Sequence, residues 1–172
     1  IISTMFNLLK KKYVNNPKIA FLLFGQPRFV GNNLVKDFHK RIIDSYETDV
    51  YAHVWFKKDF EVKFSSWAAA NENQKISIKN SVPDDAINKI ISIYSPKKFL
   101  IKEPEEINLN KKEKIFLRNK YDYKKYNQRN LENIFSQLKA IQYVSNILPH
   151  EKYDFVIMTR YDAYISNFPK DL

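Results

Sequence analysis

Three short segments hold most of the side chains in this chain that could act together on a ligand. Gly25-Gln26-Pro27-Arg28 follows one apolar run, His53-Val54-Trp55-Phe56 ends a second, and Arg160-Tyr161-Asp162 follows a third. Their types suit an anionic ligand. An arginine guanidinium grips phosphate oxygens through a planar fork of N–H donors. A carboxylate such as Asp162 takes a hard cation or a sugar hydroxyl. Trp55 offers a face for stacking a base and His53 a ring nitrogen, although a packed tryptophan and a hydrogen-bonded core histidine are the plainer fates of those two. For Arg28 the plainer fate is a solvated charge behind a turn. Asp154 cannot assist Asp162, since eight residues of strand separate them by about 26 Å.

What is missing narrows the chemistry. The 172-residue chain has no cysteine, which removes disulfides, thiolate catalysis and cysteine zinc sites and fits a reducing, cytoplasmic setting. Its three histidines are scattered and form no HExxH. The two glycines, Gly25 and Gly31, cannot build a GxGxxG, a P-loop or a GxSxG elbow. Phosphates would have to be held by side chains, a metal or a helix N-terminus. No apolar run is long enough to span a bilayer. The first residues place apolar before basic (Lys10, Lys11, Lys12), the reverse of a signal peptide.

The elements that must position these residues are readable. Ile19–Phe24 and Phe155–Met158 are continuous apolar runs of the kind buried on both faces of a parallel sheet. Asp49–Phe56 and Lys98–Lys102 read as two more strands. Helical spacing links Leu34, Val35, Phe38, Ile42, Ile43 and Tyr46, and again Ile87, Ile90, Ile91 and Tyr94 behind Pro83-Asp84-Asp85. A third helix runs from a cap at Asn130 to Pro149, with a stripe that includes Leu131, Ile134, Leu138, Ile141 and Val144. Strands alternating with helices predict one α/β domain over residues 1–172: an open, mostly parallel, Rossmann-like sheet with helices on both faces. In such a sheet ligands bind beyond the carboxyl ends of the strands, where all three segments fall. If the last strand continues past Arg160, Tyr161 points away from Arg160 and Asp162 and packs in the core.

Taken in order, FLLFGQPRF, DVYAHVWF, the helix NIFSQLKAIQYV and YDFVIMTRYDAYI resemble a group of GT-A-type glycosyltransferases from bacterial surface-polysaccharide clusters and large viruses. These carry a first loop of SGQ-R type, an H-W second strand and an R-x-D third motif. The resemblance spans about Lys18 to Ile165. It implies the amino-terminal half of a GT-A fold, a nucleotide-sugar donor, a glycan or other acceptor, and RYD in the place of DxD. Gly25, Gln26, Arg28, His53, Trp55, Gln137 and Arg160 would then contact substrate. Asp162 would hold a divalent cation, Mn²⁺ or Mg²⁺, with Arg160 touching phosphate directly. The acceptor side and the usual base of GT-A enzymes come later in the chain, so donor binding is expected more than turnover.

The net charge of +10 is uneven. Residues 111–129 hold eight bases against two acids, interleaved with Tyr121, Tyr123 and Tyr126, within a basic insertion of about 103–129. Charge plus rings is also what single-stranded nucleic acid binders use. A non-catalytic basic module gripping an anionic polymer is therefore the alternative, although no RNP, KH or zinc-finger motif supports nucleic acid. The plainest reading of the insertion is a solvated surface loop.

Overall fold

The computed structural model describes residues 17–57, 84–105, 110–113, 115, 128–150 and 152–164. Within them lie four strands, β1 (Lys18–Phe24), β2 (Glu47–Trp55), β3 (Lys98–Lys102) and β4 (Phe155–Arg160). The main helices are α1 (Asn33–Ser45), α2 (Ala86–Tyr94) and α3 (Gln128–Asn146). The sheet order is β3-β2-β1-β4 and every pairing is parallel. This is the expected open, Rossmann-like α/β sheet. Residues 58–83 and most of the basic insertion, including Tyr121, Tyr123 and Tyr126, lie outside the described residues.

The topology follows from connection handedness. The chain steps from β1 to β2 to β3 in one direction, with α1 and α2 on one face. It then returns past β1 to β4. A right-handed crossover in the reverse direction must lie on the opposite face, and α3 does. Two cores result. Phe21, Leu23, Phe38, Ile42, Val54 and Ile90 are among the residues packed between the sheet and α1 and α2. Ala20, Leu22, Tyr51, Trp55, Ala140 and Val144 pack between the sheet and α3.

Local chemistry fixes the ends. The Asn32 side chain caps α1 by accepting from the Leu34 N–H at 3.1 Å. Ser95 closes α2 in a left-handed conformation, its N–H returning to the Ile91 carbonyl. The N-terminal end of the sheet is tied by Asp49, which accepts from Tyr153 Oη at 2.9 Å and pairs with Lys97 Nζ at 2.7 Å. Those bonds hold its carboxyl below the usual range despite its burial. Asp154 belongs to this end as well, accepting from the Lys18 N–H at 2.9 Å.

Two expectations are corrected. β4 is not buried on both faces: among the described residues it is an edge strand, and Phe155, Val156 and Met158 are exposed. α3 packs chiefly on β1 and β2. α3 itself begins at Gln128, ahead of Asn130, and its packed face runs through Ala140 and Val144. Ile134 and Leu138, assigned to the buried stripe by spacing, stand exposed on its first half.

Candidate functional site

The direction of the chain along the sheet reverses between β1 and β4. Such a switch point, at the carboxyl ends of the strands, is where open α/β sheets bind ligands. Phe24 is in register with Arg160, so the two segments richest in candidate residues emerge side by side.

The β1 loop is built to turn sharply. Gly25 has φ +99°, a region that costs any residue with a Cβ. Its carbonyl accepts from the Trp55 N–H at 2.9 Å, anchoring the loop to the end of β2. Pro27 is buried. Arg28 folds back so that its Nε donates to Gln26 Oε1 at 2.8 Å. Phe29, at φ 54°, and Gly31, at φ 88°, complete the turn into α1.

The β4 segment turns at Arg160 instead of continuing as a strand. The strand ends at Arg160, and the Ala163 N–H reaches back to the Arg160 carbonyl at 3.2 Å. This four-residue turn folds Asp162 onto Arg160. Arg160 Nε donates to Asp162 Oδ1 at 2.8 Å and Nη2 to Oδ2 at 2.6 Å, a two-pronged fork. Arg28 lies within the field of both: burial lowers its pKa first, Asp162 opposes that, and Arg160 adds to it. Arg28, Arg160 and Asp162 are therefore electrostatically coupled at the carboxyl ends of β1 and β4. Tyr161 is buried in the α1/α2 core, its hydroxyl donating to the His53 carbonyl at 3.2 Å. It packs inward as expected, although through a turn and not through strand alternation.

The other candidates sit elsewhere. His53 and Trp55 are buried under α3. The His53 ring stacks on Tyr143 at 5.3 Å and meets Trp55 edge-on at 4.6 Å, with no hydrogen-bond partner at either nitrogen. Burial, helped by Lys102, pushes its pKa down to about 4, so the ring is neutral near pH 7. Trp55 Nε1 donates to the Ser136 carbonyl at 3.4 Å, which places the adjacent Gln137, exposed on α3, at the carboxyl-end rim of the sheet. His53 and Trp55 form the floor under this rim rather than a surface open to ligand.

Sequence reasoning missed His39. It is wholly buried on α1, its Nδ1 3.0 Å from Tyr94 Oη, and rings of Phe21 and Phe38 flank it. The Ala163 carbonyl and the Asp162 charge favour its protonated form, but burial dominates and brings its pKa to about 4. The signal was its place at helical spacing between Phe38 and Ile42; its partner Tyr94 is 55 residues away and was not inferable.

A divalent cation does not fit Asp162 as it stands. Both carboxylate oxygens already accept from Arg160, and a cation there would face that guanidinium's charge. Among the described residues no three histidine or acidic side chains come together as a metal site. No helix among them is long and apolar enough to cross a membrane. No protein-family model matches the chain, and neither the curated proteins nor the solved structures yield a significant match.

Proposed function

We propose that this chain binds a nucleotide-diphosphate sugar and is the donor-binding domain of a glycosyltransferase, the sugar passing to a glycan or other acceptor. The observation that supports it is the convergence of Gly25–Arg28 with Arg160–Asp162 at the carboxyl ends of β1 and β4, where the strand order reverses. A departing nucleoside diphosphate gains negative charge as the glycosidic bond breaks, and fixed cations beside it lower that barrier. Arg28 and Arg160 are the candidates for that role. Gln137 on the rim is the candidate for sugar contact. The cysteine-free composition suits donor use in the cytoplasm.

A thermal-shift panel of nucleotide sugars tests the reading. A donor at a hundred times its Kd stabilises by about 2.7 kcal/mol, a rise of several degrees for a chain of this size. The rise is expected for one donor class and is lost in Arg28→Ala. No response to any donor, with salt-sensitive binding to oligonucleotides, would favour the polymer-binding alternative instead.

A further inference from the structure

The end of β2 is tied by hydrogen bonds to every segment that carries a candidate residue. The Trp55 N–H donates to the Gly25 carbonyl at 2.9 Å and holds the β1 loop. The Trp55 Nε1 donates to the Ser136 carbonyl at 3.4 Å and holds α3 beside Gln137. Tyr161 Oη donates to the His53 carbonyl at 3.2 Å and holds the β4 turn. This last tie has the longest reach, because β1 lies between β2 and β4. The pairing of β4 with β1 stops at the Phe24–Arg160 rung. Beyond it the Tyr161 side chain crosses the end of β1 and fastens the turn to a strand two places away. The ring is itself held in place. Tyr161 is wholly buried, its centroid is 6.5 Å from that of Tyr94, and Tyr94 Oη lies 3.0 Å from His39 Nδ1. Arg160 and Asp162 are its two chain neighbours, and the Ala163 N–H closes all three into one turn.

We infer that Tyr161 is a positioning residue for the Arg160–Asp162 fork, and that His53-Val54-Trp55 serves the site as the frame to which it is fastened. The inference rests on the donor-binding reading and deepens it: the Tyr161 hydroxyl sets where Arg160 meets the anion. A site carried on a turn is only as precise as the side chains that lock the turn. The bond from Tyr161 to His53 orders the turn before ligand arrives. Without it, ordering the turn would be charged against binding. The same frame gives the buried His53 and Trp55 a part in the site that needs no contact with ligand.

Calorimetric titration of the full chain with inorganic pyrophosphate in EDTA tests this, with Tyr161→Phe and Asp49→Asn compared against the unaltered protein. Tyr161→Phe keeps the ring and removes only the hydroxyl. It should weaken binding by about 5-fold, the equilibrium equivalent of one neutral hydrogen bond. Asp49→Asn loosens the opposite end of the sheet and controls for lost stability; its affinity should match that of the unaltered protein. The Arg160 Nε–H resonance of the ligand-free protein should shift in Tyr161→Phe and stay in place in Asp49→Asn. Unchanged affinity in Tyr161→Phe, or an equal loss in both variants, would overturn the inference and leave donor binding standing. No binding by the unaltered protein would overturn both. Should Tyr161→Phe fail to fold, the Val54 amide of the unaltered protein decides, since the His53 carbonyl belongs to the same peptide group. Pyrophosphate should shift that amide, and a silent Val54 with binding intact would overturn the inference.

Discussion

Lowering the pH should destabilise this fold well before its carboxylates protonate, because two histidines are buried neutral. His39 sits wholly inside the α1/α2 core, with Tyr94 Oη at Nδ1. His53 is stacked between Tyr143 and Trp55 with Lys102 nearby. Each has its pKa lowered from 6.5 to about 4, with burial the largest cause. The unfolded chain therefore takes up protons near pH 6.5 while the folded chain resists them until about pH 4. Stability is full above the unfolded value and falls across that window as pH drops. Between about pH 7.5 and about pH 5 each histidine accounts for about 2 kcal/mol, and the pair for about 4. Asp49 and Glu105 are shifted downward, so their contribution is lost only at lower pH and does not enter this range. Urea unfolding at the two pH values reads the difference directly, provided the slope with denaturant stays constant. His39→Gln keeps a group able to bond the Tyr94 hydroxyl without titrating, and should remove about half of the loss. Stability that is flat across this range in the unaltered protein would refute the reasoning. So would an undiminished loss in His39→Gln.

Three further outcomes follow from particular contacts. Gly25→Ala meets no atom within 4 Å, so its cost is the backbone strain at φ +99° alone, about 1–2 kcal/mol in unfolding free energy. It should also weaken pyrophosphate binding by displacing Arg28. Asp49→Asn breaks the ties to Lys97 and Lys18 at the opposite end of the sheet. It should cost about 2 kcal/mol in stability and leave pyrophosphate affinity unchanged. Tyr161→Phe removes the buried hydrogen bond to the His53 carbonyl, with an expected loss of about 1 kcal/mol by chemical denaturation.

The alternation of strand and helix was legible because each element carries a strong local pattern. β1 is apolar at every central position, and it lies between two layers of helix. The site was legible in outline, since the carboxyl-end rule turns a strand map into a map of loops. Composition could not say which strand lies at an edge. Phe155, Val156 and Met158 look like core, yet the crossover places β4 outside β1, where these side chains are exposed. The Arg160–Asp162 fork was also hidden. It depends on a turn closed by the Ala163 N–H, and alternation along a continued strand gives the same Arg160 and Asp162 a shared face without contact. His53 illustrates the reverse case. Its type suggested a ligand contact, and its neighbours Tyr143 and Trp55 enclose it.

The central claim is that an anionic donor binds where β1 and β4 part. Backbone amide chemical-shift mapping with inorganic pyrophosphate in EDTA tests it most directly. The account predicts that the largest saturable shifts fall on Gly25, Gln26, Arg28 and Arg160–Asp162, with Lys18, Asp49 and Lys97 at the far end unmoved. Shifts centred on the basic residues 111–129, with the β1 and β4 loops silent, would contradict it.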